Sequence, residues 1–355
     1  MSSLHSSVLV TYGLRPEIQS EFDSVAGDGT LLGRVIRVDR GSSLVVTDVG
    51  IERCYLRGSA VTGPATGDWV VARPEPGLGL VLDQVLTRRT AVKRLDPDET
   101  GPQVLVANVD TLFVLQGIDR PLRLGRVERL CLITWDAGAI PVVLLTKADL
   151  EDTAAVDVLD AIDEIHKVVR GVDVIPVSSA TGVGLNLLAP YLPAGATVGL
   201  LGESGAGKST LVNALVGASV QRTGDTRAGD NKGTHTTTSR ELVPLASGAV
   251  LVDTPGLRSV AMLGDRTGLA RSYADIEALS AQCRFGDCGH DSEPGCAVST
   301  ARRSGELEES RWAGYQKLLR EIAHEERRSS DRARRAEAKE MGRRLAKFRR
   351  QIDRP

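Results

Sequence analysis

Aromatic rings, long apolar runs and an excess of one charge are all scarce or missing in this sequence of 355 residues. Aromatic residues make up 3% of the chain, which argues against a binding surface built from rows of stacked rings. No apolar run reaches the roughly 20 residues of a membrane-spanning helix, and the first residues lack a cationic segment followed by an apolar core. The formal net charge of −2 gives no sign of a polyanionic partner, although the last fifty residues are locally basic. We therefore expect a soluble, monomeric protein of the cytoplasm, with no membrane partner.

Cysteine is also rare, and its five positions fall into two groups. Cys54 and Cys131 stand alone in apolar stretches, which is typical of buried thiols. The remaining cysteines gather near one histidine, in a set formed by Cys283, Cys288, His290 and Cys296. Three soft thiolates and an imidazole, with no carboxylate, favour tetrahedral Zn²⁺ in a closed structural site, and reduced free thiols are the alternative.

The chain divides into regions with different patterns, so we predict a multidomain protein. Short strands separated by turns at about ten-residue spacing predict a small all-β barrel or sandwich at 28–92, after an N-terminal extension at 1–27, and an OB-type barrel is the best match in size. A polar linker at 94–103 precedes apolar strands that alternate with helices, which predicts an α/β domain with a mainly parallel sheet at 103–265. The cysteine cluster and a long charged helical stretch make up 272–355.

The segment "GESGAGKST" fits the pattern G-x-x-x-x-G-K-[ST] of a phosphate-binding loop. An apolar strand precedes it and an amphipathic helix follows, which is the context that such a loop requires. The glycines let backbone N–H groups face phosphate oxygens, and the lysine supplies a positive charge. The predicted phosphate-binding residues are Gly202, Glu203, Ser204, Gly205, Ala206, Gly207, Lys208, Ser209 and Thr210.

Residues that would complete a Mg²⁺–nucleotide site follow this loop along the chain. Asp253 ends an apolar strand, where a Mg²⁺ ligand is needed, and the N–H of Gly256 can sense a γ-phosphate. Ser209 offers a hydroxyl to the same ion. A polar loop between them supplies a further hydroxyl from Thr236, Thr237 or Thr238, and the sequence leaves open which of the three binds.

The candidate reader of the base comes earlier in the chain than the phosphate loop. "TKAD" follows a buried-type strand, which places Asp149 at the edge of the sheet where its carboxylate can accept from the N1–H and N2–H of guanine. The stem of Lys147 can cover the base. Small residues after the next strand can offer N–H groups to guanine O6, so the predicted base-binding residues are Thr146, Lys147, Asp149, Ser178, Ser179 and Ala180.

Strand pairing in a parallel sheet survives when the old termini are joined and the chain is cut elsewhere. The reversed order of the two loops therefore indicates a circularly permuted GTPase. The alternatives are a P-loop ATPase or kinase, which leaves Asp149 without a purpose, and a non-enzymatic zinc-stabilised RNA-binding protein, which does not explain the central domain.

The barrel, the permuted motifs and the terminal Cys/His cluster together resemble the RsgA (YjeQ) family of GTPases over roughly residues 28–310. The resemblance implies a ribosome-stimulated GTPase that acts late in small-subunit maturation, with an OB barrel that touches ribosomal RNA. It also matches the four Cys/His positions to a zinc module. Thr146 departs from the pattern, because it removes the amide by which the usual Asn ties its loop to the phosphate loop. We therefore expect this tie to be missing and the affinity for the nucleotide to be modest.

Catalysis needs a group that orients the attacking water, and Leu257 stands where many GTPases carry a Gln. An aliphatic side chain cannot hold water, so intrinsic hydrolysis is expected to be slow. His235 in the polar loop is the candidate replacement, and the alternative is that it only caps or packs this loop. The barrel offers only Tyr55 and Trp69 for stacking, so its arginines fit phosphate contacts to structured RNA better than base-stacking on single strands, and a solvated arginine face is the alternative. These arginines are Arg34, Arg37, Arg40, Arg53, Arg57 and Arg73.

Overall fold

The computed structural model describes residues 8–56, 63–95, 102–153, 157–217, 241–253, 266–291, 293–324 and 327. The chain forms two compact units, one made of Met1–Val92 with Val104–Val260 and the other of Lys93–Gln103 with Ala261–Pro355. The four-part division made from the sequence stays a prediction. Among the described helices, none has the length and hydropathy needed to cross a membrane.

The first unit begins with two helices, α1 (Val8–Thr11) and α2 (Pro16–Val25), followed by a closed barrel. The barrel strands are β1 (Leu31–Asp39), β2 (Ser42–Thr47), β3 (Gly50–Leu56), β4 (Trp69–Glu75) and β5 (Gly79–Val85). Their order around the barrel is β1-β2-β3-β5-β4, with β3 and β5 parallel and the other pairs antiparallel. Alternating apolar side chains fill its interior. The predicted OB-type barrel is confirmed.

Two strands, β6 (Ala91–Leu95) and β7 (Pro102–Ala107), pair in a small sheet of their own. The sequence predicted a polar linker at 94–103, and this was wrong at both of its ends. Turn-forming Pro, Asp and Gly residues dominate the centre of that stretch, and the strand ends that it overlaps, Arg94–Leu95 and Pro102–Gln103, are largely polar or turn-forming themselves.

The α/β domain contains a six-stranded sheet. After β8 (Thr111–Gly117) come α3 (Leu124–Asp136), β9 (Ile140–Thr146), a 3₁₀ segment (Ala148–Thr153), α4 (Val158–Val168), β10 (Asp173–Val177), a second 3₁₀ segment (Leu185–Tyr191), β11 (Thr197–Gly202), α5 (Lys208–Val216), β12 (Glu241–Pro244) and β13 (Val250–Asp253). The sheet order is β10-β9-β8-β11-β13-β12, and every neighbouring pair is parallel except β12–β13. β8 is buried at every position, which explains the apolar run Leu112–Leu115 at its centre.

A buried arginine joins the barrel to this sheet. Arg34 of β1 is 1% exposed, and its guanidinium donates to the backbone oxygen of Tyr12 and, at 2.8 Å, to the hydroxyl of Thr197 at the start of β11. It also lies 5.0 Å from the centre of the buried Trp69 ring. Burial lowers the pKa of Arg34 to about 9, which still leaves the side chain charged at neutral pH. The prediction that Arg34 and Trp69 face RNA was therefore wrong.

The N-terminal helices, whose role was not predicted, pack at the same junction. Arg15 bonds to Asp110 at 2.6 Å and to the carbonyl oxygen of Gly195 at 3.0 Å. The carboxylate of Glu21 accepts from the backbone N–H of Thr87 at 2.8 Å, just beyond the barrel. The segment thus contacts both the barrel and the amino-terminal edge of the six-stranded sheet.

The second unit is helical around the cysteine cluster. It contains α6 (Arg266–Ser272), α7 (Ala274–Ser280) and α8 (Ala297–Ser304), and residues 309–324 are also helical. Arg311 is buried and bonds to Asp275 at 2.7 Å and to the backbone oxygen of Ser272 at 2.8 Å, beneath the ring of Tyr273. These contacts join α6 and α7 to the last described helix. The rest of the predicted charged stretch to residue 351 lies outside the described residues, apart from residue 327.

Candidate nucleotide site and metal centre

Three neighbouring parallel strands bring the predicted base loop and the predicted phosphate loop to one edge of the sheet. β8 lies between β9, which ends at Thr146, and β11, which ends at Gly202. Gly117 at the end of β8 pairs with Thr146, so the three strands end nearly level. Parallel strands present their carboxyl ends on the same side, which is where open α/β sheets bind ligands.

The phosphate loop has the backbone that its glycines permit. Gly202 adopts a φ of 153°, and a Cβ there would lie 2.8 Å from the backbone oxygen of Leu115. Gly207 caps the start of α5 with a φ of 86°. Lys208 folds back and donates to the backbone oxygens of Gly202, at 2.7 Å, and Glu203. The remaining loop positions, Ser204, Gly205, Ser209 and Thr210, are exposed, whereas Ala206 is buried.

Thr146 ties the base loop to the phosphate loop directly. Its buried hydroxyl donates to the backbone oxygen of Ala206 at 2.9 Å. The inference that Thr at this position removes the tie was wrong, because a hydroxyl replaces the amide donor. The backbone oxygen of Thr146 in turn accepts from the N–H of Ile118 at 3.2 Å, so the loop after β8 takes part as well.

The other predicted base-binding residues lie at the same edge. Lys147 has a φ of 65°, a left-handed conformation that costs a residue with a Cβ about 1–3 kcal/mol and often marks functional sites. Asp149 is exposed within the 3₁₀ segment that follows β9. Residues 178–180 follow β10, the outer neighbour of β9, and the hydroxyl of Ser178 accepts from the N–H of Thr181 at 3.1 Å. Ser179 is half-buried and Ala180 is exposed in this turn.

Two residues that no sequence motif singled out lie between the two loops. Asp119, just after β8, accepts from the amine of Lys147 at 2.6 Å and from Arg120 at 3.2 Å. The hydrogen bond from Arg120, joined by that from Lys147, lowers the pKa of Asp119 to about 2, so the carboxylate is ionised at neutral pH. Arg120 also reaches the backbone oxygens of Ser204, at 3.5 Å, and Gly205, at 3.4 Å. Only the position of "GIDRP" after a strand flanked by two candidate loops could have pointed to them.

Glu203, the second residue of the phosphate loop, forms ion pairs with arginines at the start of α3. Its carboxylate lies 2.7 Å from Arg123 and 2.8 Å from Arg126, and Arg120 is 4.0 Å away. The Glu203 side chain is 19% exposed, which screens these pairs less than open solvent would. The outer face of the phosphate loop is therefore held by arginines.

Of the residues predicted to bind Mg²⁺, the backbone of Asp253 ends β13, the neighbour of β11 on the side away from β8. Ser209 lies in the first turn of α5, next to Lys208. Strand order thus brings both chain positions to the carboxyl edge that carries the phosphate loop. His235, Thr236, Thr237, Thr238 and Gly256 lie outside the described residues.

The predicted metal ligands converge. The ligand atoms of Cys283, Cys288, His290 and Cys296 all lie within 4.8 Å of one another. Nδ1 of His290 is 3.5 Å from the sulfur of Cys283 and 3.6 Å from that of Cys296, and these two sulfurs are 3.9 Å apart. Tetrahedral Zn²⁺ with its usual bond lengths requires ligand separations of roughly 3.5–3.8 Å. The donor set and its spacing therefore fit a closed zinc site.

Residues outside the ligand set shape this centre. The carboxylate of Glu293 accepts from the N–H groups of Gly289, at 2.7 Å, and Asp291, at 3.0 Å, and so fixes the turn that carries His290. The N–H of Ser299 donates to the sulfur of Cys296 at 3.2 Å. The ring of Trp312 meets that of His290 edge to face at 5.9 Å. Such surrounding contacts orient metal ligands.

The predicted RNA-facing arginines of the barrel differ in their surroundings. Arg37 and Arg53 both contact Asp39, at 3.0 Å and 3.4 Å, and Arg73 pairs with Asp83 at 2.7 Å. Arg40 is exposed, and Arg57 lies outside the described residues. Tyr55 is half-buried.

Comparisons with known proteins agree with this architecture. A family model described as RsgA GTPase matches residues 85–263. The chain is 45% identical to the small ribosomal subunit biogenesis GTPase RsgA of Streptomyces avermitilis, over 90% of this chain and 87% of the relative. The protein of the same name from Streptomyces coelicolor is 42% identical over 97% of this chain and 95% of its own.

Two solved structures share the fold. The crystal structure of YjeQ from Thermotoga maritima has a TM-score of 0.61 and 25% identity, and covers 83% of this chain and 99% of its own. That of YloQ, described as a circularly permuted GTPase, has a TM-score of 0.59 and 24% identity, over 84% of this chain and 96% of its own.

The fold and the order of the two loops define a circularly permuted P-loop GTPase with a barrel and a Cys/His cluster. The chain belongs to the RsgA GTPase family. It is thus a GTP hydrolase, and the alternatives of an ATPase, a kinase or a non-enzymatic RNA-binding protein are set aside.

Proposed function

We propose that the small ribosomal subunit stimulates GTP hydrolysis by this protein and that hydrolysis is coupled to a late step of that subunit's maturation. The names of the relatives supply the ribosomal context. The observation in this chain that carries the guanine-nucleotide site is the hydrogen bond between Thr146 and Ala206, which joins the base loop to the phosphate loop. The proposed partners are GTP, GDP and the small subunit with its RNA, and the proposed location is the cytoplasm.

Each loop has a proposed role in holding the nucleotide. The amine of Lys208 leaves the backbone oxygens that it contacts at Gly202 and Glu203 and binds the β- and γ-phosphates. The carboxylate of Asp149 accepts from guanine N1–H and N2–H, and the turn at 178–180 donates to O6. Mg²⁺, when bound, neutralises charge on the phosphates, and Ser209, Asp253 and one threonine of 236–238 are its proposed protein ligands.

The proposed catalytic group is His235. Leu257 cannot orient water, so the imidazole does so once docking on the ribosome brings the polar loop into place. In the second unit the four Cys/His ligands hold structural Zn²⁺. Because all four tetrahedral positions are filled by protein, this metal has no open position for chemistry.

The test measures phosphate release from GTP with small subunits, with large subunits and with neither. Stimulation by small subunits alone is the expected result, and equal rates in all three would overturn the proposal. His235→Ala should keep GTP affinity and lose the stimulation. The matched control is His166→Ala, which changes a histidine in α4 and should keep both.

A further inference from the structure

We infer that Asp119 is a positioning residue that holds the side chain of Lys147 in place for the bound base and, through Arg120, fixes the base loop to the phosphate loop. This inference rests on the proposed nucleotide site and adds a residue to it. It starts from the position of Asp119 in the loop after β8, between the two loops that are proposed to bind the base and the phosphates.

The first step is the contact with Lys147. The amine of Lys147 is 2.6 Å from the Asp119 carboxylate, and the two side chains are 30% and 26% exposed. A lysine side chain on a flexible stem has many conformations in water, and restricting it costs up to about 2 kcal/mol in rotamer entropy. An ion pair that restricts it before the nucleotide arrives removes part of that cost from binding.

The second step is the contact with the phosphate loop. Arg120 bonds to Asp119 through both Nε and Nη2, each at 3.2 Å, and its Nη atoms face the backbone oxygens of Ser204 and Gly205 at 3.5 and 3.4 Å. A Cβ on Gly205 would meet Nη2 of Arg120 at 3.2 Å, so glycine at this position leaves room for the guanidinium. The carboxylate of Asp119 thus accepts hydrogen bonds from both Lys147 of the base loop and Arg120, which contacts the phosphate loop.

The third step is charge. Arg120 and Lys147 stabilise the ionised form of Asp119, whose pKa falls to about 2. A carboxyl group with a depressed pKa keeps its contribution above its ordinary pKa of about 4 and loses it only as the pH falls through the lower value. The Asp119 carboxylate is therefore ionised throughout the neutral pH range.

The experiment is a double-mutant cycle on nucleotide affinity, with Asp119→Asn, Lys147→Met and both together in the full chain, titrated with GDP and with a non-hydrolysable GTP analogue. Asp119→Asn should weaken both ligands by the same factor, about two- to fivefold, which is the usual range for a partly exposed ion pair. The factor should vanish in the Lys147→Met background, because the carboxylate acts through that amine.

Asp83→Asn is the matched control. Asp83 is 27% exposed and pairs with Arg73 at 2.7 Å in the barrel, so the substitution breaks a similar ion pair away from the nucleotide edge. It should leave the affinity unchanged. Chemical denaturation of each variant separates a loss of affinity from a loss of folding.

The outcomes separate the inference from the proposed site. Unchanged or tighter binding by Asp119→Asn overturns the inference, and so does the same loss with and without Lys147, since Asp119 would then act independently of it. If Lys147→Met and Asp149→Asn also bind normally, the proposed base site itself is wrong.

Discussion

The hydroxyl of Thr146 and the backbone oxygen of Ala206 are 2.9 Å apart and buried, and this single hydrogen bond joins the end of β9 to the phosphate loop. The two residues are sixty positions apart, and they meet because β9 and β11 both flank β8. In this permuted chain a tertiary contact therefore holds the base loop next to the phosphate loop.

Loss of this hydroxyl should weaken both folding and binding. Thr146→Val keeps the shape of the side chain but leaves a buried carbonyl oxygen without its donor, which should lower the free energy of unfolding by about 1–3 kcal/mol. The affinities for GTP and GDP should fall together, as measured by denaturation and by nucleotide titration. Thr146→Ser keeps the donor and is the control; a valine variant that matches it in both measurements would contradict the role given to this bond.

Removal of the buried guanidinium at the barrel junction should destabilise the first unit. Arg34→Met fills a similar volume but leaves the oxygens of Tyr12 and Thr197 without a donor, and should lower the free energy of unfolding by about 1–3 kcal/mol. Arg73→Met removes an arginine that is 57% exposed and should change stability by less than about 0.5 kcal/mol. Equal effects of the two substitutions would show that Arg34 is not a structural link.

Base selectivity should depend on the carboxylate of Asp149. Asp149→Asn replaces an acceptor of two N–H groups by an amide, which can donate to the C2 carbonyl of xanthine, so binding of GTP should weaken and binding of xanthosine triphosphate should strengthen. Competition titrations with both nucleotides measure the ratio. Asp163→Asn, an exposed position of α4, should leave the ratio as in the parent protein; a ratio that Asp149→Asn also leaves unchanged would remove Asp149 from base recognition.

The cysteine cluster should hold one zinc ion per chain. Cys296→Ala should lose this ion in metal analysis, because three remaining ligands leave the tetrahedral site open, and should lower the stability of the second unit. Cys54→Ala, which alters a buried thiol of the barrel, should retain it. Zinc content equal in both variants would exclude the cluster as the site.

A tryptophan offers an optical measure of the same centre. Because the ring of Trp312 lies 5.9 Å from that of His290, chelation of the metal should change its fluorescence. The change should disappear in Trp312→Phe, although two other tryptophans remain in the chain. A signal that survives this substitution would come from elsewhere in the molecule.

The sequence by itself determined much of this protein. The phosphate loop, the OB-type barrel, the parallel sheet and the metal ligands were all predicted because each depends on local chemistry: glycines where the backbone needs them, apolar runs at strand spacing, and soft ligands close together in the chain. The permuted order of the two loops was likewise readable, since order is a property of the sequence alone.

Only the tertiary structure decided which partner each polar side chain meets. An arginine such as Arg34 is of a type that often contacts RNA, but here the side chain is buried. Thr146 lacks the side-chain amide of Asn, but its hydroxyl reaches the phosphate loop. Asp119 belongs to no motif and gains its importance from two neighbours far away in sequence, Lys147 and the phosphate loop that Arg120 contacts. Burial and ion pairing depend on distances between strands, which cannot be read from the sequence. These distances decide whether a residue of a given type is exposed, buried in the core or part of the nucleotide site.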